Sequence, residues 1–192
     1  CSFCGADMAI EQSQPFIYQE EVKSINNIIL PFTKNIFDLG AIYFVLMMFI
    51  ILGSANSVNF TDGLDGLATG SLIISFSAIT IFTYIAGNSV YSSYLYLPFI
   101  SNVGEIVVFI SALIGSLLGF LWYNSNPAQI FMGDTGSIPM GATLGLVAIL
   151  IKQEFLLLII GGIFVIEALS VITQIFSFRI FNKRIFLIAP IH

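Results

Sequence analysis

From residue 37 onward the chain is a series of long apolar runs, with polar residues gathered in the gaps between them. A bilayer crossing needs about 20 predominantly apolar residues. On that measure the pattern predicts five spanning helices, at residues 37–55, 67–86, 103–123, 137–151 and 155–176. The fourth is short and contains Pro139. Only Lys152, Gln153 and Glu154 separate it from the fifth, so those two should form a tight antiparallel pair. Residues 25–40 are short apolar pieces broken by Pro31 and Gly40, and read as a short strand or hairpin outside the membrane. Residues 87–97 form a loop rich in Tyr and Ser. Residues 1–24 are polar and mildly acidic, and should be poorly ordered or loosely attached. The expected fold class is therefore an all-α polytopic membrane protein.

Composition sharpens this picture. Of 192 residues, 57% are hydrophobic and only 9% charged, against about 25% charged in average soluble domains. Mean hydropathy is +0.98. The net charge of −5 is thinly spread and gives no reason to expect nucleic acid as a partner. The basic residues Arg179, Lys183 and Arg184 follow the fifth run and place that end in the cytoplasm. The gaps at 56–66 and 124–136 then also face the cytoplasm, although Lys23, Lys34 and Lys152 on the other side weaken the bias. Cys1 and Cys4 have CxxC spacing. No second CxxC or His cluster completes a zinc site, so incidental thiols are the preferred reading. The start at Cys1 and the stop at His192 lead to the expectation of a fragment of a longer membrane protein.

Every dense polar cluster falls at the end of an apolar run. In Asn56-Ser-Val-Asn-Phe-Thr-Asp-Gly-Leu-Asp-Gly-Leu-Ala68, Asp62 and Asp65 are three residues apart and each is followed by glycine. Such carboxylates could share one side of a helical turn and hold Mg2+, a hard cation that prefers oxygen. They could instead bond hydroxyl or imide groups of a ligand, or simply form Asp-Gly turns. The second cluster is Asn124-Ser-Asn-Pro-Ala-Gln-Ile-Phe-Met-Gly-Asp-Thr-Gly-Ser137. There Asp134 should lie just before a helix whose first amides, on Thr135, Gly136 and Ser137, attract phosphate. Asp134 could bridge to that phosphate through Mg2+, or Asp134 or Thr135 could cap the helix. Glu167 lies mid-span and reads better as a helix–helix contact than as a proton relay.

These motifs, with Glu167-Ala-Leu-Ser-Val-Ile-Thr-Gln174 and Lys183-Arg-Ile-Phe-Leu-Ile-Ala-Pro-Ile-His192, resemble the phospho-N-acetylmuramoyl-pentapeptide-transferase branch of the polyprenyl-phosphate N-acetylhexosamine-1-phosphate transferase superfamily. The likeness covers roughly residues 28–192. It implies transfer of phospho-MurNAc-pentapeptide from UDP-MurNAc-pentapeptide to undecaprenyl phosphate, giving lipid I and UMP. It thereby implies a place in peptidoglycan synthesis, cell-wall biogenesis, cell shape and cell division. It also implies a multi-pass protein of the bacterial inner membrane, with Mg2+ as cofactor, the site facing the cytoplasm and membrane lipid around it, and it admits a homodimer. By position Asp134 resembles the Mg2+ ligand and a catalytic group. Asn59, Asp62 and Asp65 resemble the wall around nucleotide and phosphates, the two aspartates also counting as catalytic. Asn124 and Phe131 resemble nucleotide-side residues, Phe131 stacking on uracil. His192 resembles a catalytic histidine from a histidine-rich loop.

Some of the family pattern is missing. The family's Asp-Asp motif has no counterpart, since no Asp-Asp pair occurs in the sequence. About five of the family's roughly ten spans are represented. Residues 25–192 are expected to be the C-terminal part of one transmembrane transferase domain, inactive alone, with residues 1–24 of unclear origin. The competing readings are an ion-coupled transporter or assembly subunit, and a UDP-GlcNAc-using relative.

Overall fold

The structure, a computed structural model, describes residues 27–29, 36–95 and 97–181. The CxxC pair, Lys183, Arg184 and His192 lie outside the described residues. Two three-residue strands, β1 (Asn27–Ile29) and β2 (Ile36–Asp38), pair antiparallel with Ile28 opposite Phe37, which is the hairpin expected from the sequence. All the other regular elements described are helical. They are α1 (Ile42–Thr61), α2 (Leu67–Ala86), α3 (Ser89–Tyr94), a 3-10 turn (Val103–Glu105) leading into α4 (Ile106–Asn124), α5 (Gly133–Leu150), α6 (Glu154–Ile160) and α7 (Gly162–Phe181).

Among the described residues, four segments are long and apolar enough to cross a membrane: Ile42–Thr61, Leu67–Ala86, Val103–Asn124 and Gly162–Ile180. They are apolar on all sides. Phe49, Ile74, Val108 and Ile172 are all more than half exposed, as expected of helices that face lipid. The chain is a stretch of a polytopic helical membrane protein. α5 has a similar length, 18 residues, but opens on Gly133, Asp134 and Thr135 and carries Pro139.

The expected boundaries hold for α2 and, counting its leading 3-10 turn, for α4, and fail elsewhere for local reasons. α1 begins late because Asp38 Oδ1 accepts the Gly40 N–H at 2.9 Å and closes a turn after the hairpin. It ends late because its polar residues are satisfied inside the helix. Asn56 Nδ2 donates to Leu52 O, Ser57 Oγ to Gly53 O and Thr61 Oγ1 to Ser57 O, so these residues need no loop or water. The fifth expected span is broken, with α6 closing on the Gly161 N–H donated to Leu157 O at 2.7 Å. α3 occupies the expected Tyr- and Ser-rich loop, and Asn88 Oδ1 caps it by accepting from Val90 and Tyr91 N–H.

The core gathers Val58, Leu72, Phe76, Ile79, Ile110, Leu117, Leu144, Val147 and Phe164. The most extensive helix pair is α1 with α5, and small residues make it possible. A Cβ on Gly141 would lie 2.6 Å from Ser54 O and 2.8 Å from Ala55 Cα. Lipid supplies no hydrophobic drive between helices, so close backbone contact of this kind holds them together.

A buried polar clamp ties the far end of α1 to the α5–α6 turn. Tyr43 is fully buried. Its hydroxyl donates to Glu154 Oε1 at 2.6 Å and accepts from Lys152 Nζ at 2.9 Å. The Lys152 ammonium also lies 4.2 Å from the Tyr43 ring centroid. Burial pushes the Glu154 carboxyl above its ordinary range, with the Tyr43 hydroxyl and Lys152 opposing. Burial pulls Lys152 down, with Glu154 opposing. Glu154 Oε2 has no hydrogen-bond partner among the described residues. Tyr43→Phe would strip Oε1 of its donor as well, and is expected to cost about 1–3 kcal/mol. The check is the thermal midpoint in detergent, and an unchanged midpoint would show that the clamp adds no stability.

Candidate functional site

The polar site forms where α1 ends and α5 begins. Asn59, in the last turn of α1, accepts the Ser137 hydroxyl at Oδ1, 2.6 Å away. The same hydroxyl lies 3.1 Å from Gly133 O; with one proton to give, it favours the shorter bond. Asp62 follows α1 directly, and its N–H closes the helix on Asn59 O at 3.2 Å. The Gly133 amide faces the Asp62 carboxylate and favours its charged form.

α5 starts at Gly133, four residues earlier than expected, and its glycine takes a φ of +61. Asp134 therefore lies in the first helical turn instead of before it. Met132 holds the capping position and no side chain caps the helix, so neither Asp134 nor Thr135 does so. The amides without a helical partner are those of 132–135, whereas the set expected to attract phosphate was 135–137. Asp62 instead brings a negative charge to the positive end of α5, beside the Gly133 amide.

Burial is the main reason the Asp62 carboxyl sits above its usual range. The Gly133 amide opposes that shift, and the nearby charge of Asp134 adds to it. Asp62, beside the charge of Asp134, makes these two side chains the candidates to face a cation. No group of three or more His, Cys, Asp or Glu with metal-site geometry occurs among the described residues. The donor set is thus two oxygens-bearing side chains, which fits a hard cation that keeps several waters and takes further oxygens from phosphates.

Asp65 behaves differently from Asp62. The two do not share a helical face, because α1 has already ended and the chain turns through residues 62–66. Gly66 makes the turn with φ +74 and sits against the end of α4, where a Cβ would be 3.4 Å from Leu121 Cδ1. Asp65 Oδ2 accepts from the Ala128 N–H at 3.1 Å and from Asn126 Nδ2 at 3.3 Å. Its carboxylate is engaged in holding the loop 125–132.

Asn124 also holds that loop. It is 3% exposed, accepts the Thr69 hydroxyl at 2.8 Å and donates to Ile130 O at 2.9 Å. Phe131, the next residue, stands 74% exposed. Asp134 is exposed too. The structure thus brings Asn59, Asp62 and Asp134 together, and places Asp65 and Asn124 behind the loop that presents Phe131. Thr69 and the side chain of Ser137 were not among the candidates read from sequence. Their only signal was a hydroxyl in the first turns of an otherwise apolar helix.

A cavity of about 300 Å3 lies between α1 and the α6–α7 segment, lined by Phe49, Ile50, Ser57, Leu157, Phe164 and Leu169 among others. Ser57 and Val58, both on its wall, directly precede Asn59. An apolar chamber therefore adjoins the polar site along α1.

Comparison with known proteins places the chain among relatives. A phospho-N-acetylmuramoyl-pentapeptide-transferase of Brachyspira hyodysenteriae is 52% identical over 169 residues, covering 87% of this chain and 44% of that protein. The protein of the same name from Campylobacter lari is 55% identical over 164 residues, covering 85% and 47%. One from Campylobacter jejuni is 50% identical over 179 residues, covering 93% and 50%. The chain spans about half the length of these curated relatives. The family model described as glycosyl transferase family 4 matches residues 13–152, starting inside the polar segment read as separate and running through α1, α2, α4, α5 and both aspartate motifs. With most of its length matched, the chain belongs to glycosyl transferase family 4.

Proposed function

We propose that the protein carrying this chain transfers phospho-MurNAc-pentapeptide from UDP-MurNAc-pentapeptide to undecaprenyl phosphate. The carrying observation is the pairing of Asp62 and Asp134 at the first turn of α5, in a chain about half identical to relatives bearing that name. In the reaction an oxygen of the lipid phosphate attacks the β-phosphorus of the nucleotide sugar. The bond from that phosphorus to the bridging oxygen breaks, UMP leaves, and a new P–O–P link joins sugar phosphate to lipid, giving lipid I.

The residues divide this work. Asp62 and Asp134 would hold Mg2+, which when bound neutralises charge on the pyrophosphate. Asn59 is fixed by Ser137 beside them, and the free amides at the start of α5 favour a phosphate oxygen. The exposed Phe131 ring offers a face on which uracil stacks. His192 keeps the catalytic role that the family resemblance implies. The apolar cavity beside Asn59 suits part of a polyprenyl chain. Arg179 in the last turn of α7 supports a cytoplasmic site in a bacterial inner membrane. The transporter reading needs acidic groups near mid-membrane. Asp62, Asp65 and Asp134 all lie at helix ends, and Glu167 is a buried, partnered group in α7.

The test is a transfer assay on the purified complete gene product, using radiolabelled UDP-MurNAc-pentapeptide, undecaprenyl phosphate and Mg2+. Labelled lipid product with release of UMP is expected, and should be lost when the metal is chelated. No product, or product from UDP-GlcNAc alone, would overturn the reading.

A further inference from the structure

Threonines in the helices of this protein mostly satisfy themselves. Thr61, Thr80, Thr83, Thr143 and Thr173 each donate to a carbonyl four residues back in their own helix. Thr69 departs from this pattern. It is fully buried, sits in the first turn of α2, and its hydroxyl crosses to Asn124 Oδ1 on α4. We infer that Thr69 is a positioning residue for the nucleotide end of the site, fixing the Asn124 amide and through it the loop that presents Phe131. The inference rests on the proposed function.

An amide has two unlike ends. The Thr69 proton draws Oδ1 toward α2 and leaves Nδ2 facing Ile130 O, to which it donates. Turned over, the amide would set two acceptors against each other at Ile130. Asp65, four residues before Thr69, holds the other end of the same loop through Ala128 and Asn126. Between them the Gln129 N–H donates to Tyr123 O at 2.8 Å. The entry to α2 thus grips the loop at two points, and Phe131 follows the second of them. A ring held in place before the ligand arrives loses little freedom on binding. The end of α1 that carries Asp62 meets the start of α5 through other contacts, the Ser137 hydroxyl on Asn59 Oδ1 and the Gly133 amide beside the Asp62 carboxylate. Loosening the latch should therefore weaken nucleotide binding and spare the chemical step.

The experiment uses the complete protein with Thr69→Val, which keeps the shape and removes the donor, and Thr69→Ser, which restores it. Thr69→Val is expected to raise KM for the nucleotide sugar about tenfold with kcat within about twofold, and Thr69→Ser to return KM to about the wild-type value. Amide hydrogen exchange over residues 128–130 should quicken in Thr69→Val alone. An unchanged KM overturns the inference, whether or not exchange changes. A fall in kcat at constant KM overturns it equally. Should Thr69→Val not accumulate, Thr69→Cys, with only a weak S–H donor, decides in its place by the same criteria. If the wild-type protein transfers nothing, the proposed function fails. The latch is then judged by affinity for UMP and by loop exchange, and overturned if Thr69→Val moves neither.

Discussion

Asp134→Asn is expected to lower the transfer rate at least about 100-fold, the scale seen when one group aimed at developing charge is lost. The side chain keeps its size and position in the first turn of α5 but gives up the charge that acts on Asp62. Because Asp134 is exposed, the fold should hardly notice, with a stability change within about 0.5 kcal/mol. The Mg2+ concentration for half-maximal rate should rise as well. An unchanged rate in a lipid-product assay would remove Asp134 from the metal role, and would leave Asp62 without its proposed partner.

Gly141→Val should destroy activity by a different route. The new Cβ would meet Ser54 O at 2.6 Å, Ala55 Cα at 2.8 Å and Val58 Cβ at 2.9 Å. Two of these are backbone atoms that cannot swing aside. α1 and α5 must part, taking Asn59 and Asp62 from Asp134. The expected loss of stability is about 3 kcal/mol, the upper end of the usual overpacking range, together with loss of transfer. Gly119 on α4 is the control, since a Cβ there meets nothing within 4 Å. Gly119→Val should cost nothing measurable, since valine is a slightly better helix former than glycine. Equal thermal midpoints for the two variants in detergent would show that the α1–α5 contact is not what sets the fold.

The sequence was most legible where a single local signal decided the outcome. α2 was read correctly because an apolar run lies between Gly66 and Gly87. The end of α1 was misread because Asn56, Ser57, Asn59 and Thr61 look like a polar loop, although three of them bond carbonyls of their own helix. The start of α5 was misread because Gly133 and Asp134 look like a turn before a helix, whereas Asp62, from another helix, supplies the missing anion. The break between α6 and α7 was hidden within one continuous apolar run. In the site, Asp62, Asp134 and Phe131 were visible as motif positions. What could not be seen was the division of labour between the two aspartates of one motif. Asp65 faces a loop 63 residues further on, and Asn124 a threonine 55 residues back; no local pattern encodes such a partner.

The glycine contact between α1 and α5 also bears on ionic size. Side chains can lean to suit an ion, but two helix backbones in contact at Gly141 have no slack to take up. If the proposed ion is held between Asp62 and Asp134, its space would be gauged by steric contact about two turns away from either charge. A fixed gauge favours a small ion with oxygens at about 2.0–2.1 Å over one that needs about 2.3–2.6 Å and a more yielding cage. In this protein the choice between magnesium and calcium would be written in the smallest residue of a helix interface, far from the carboxylates.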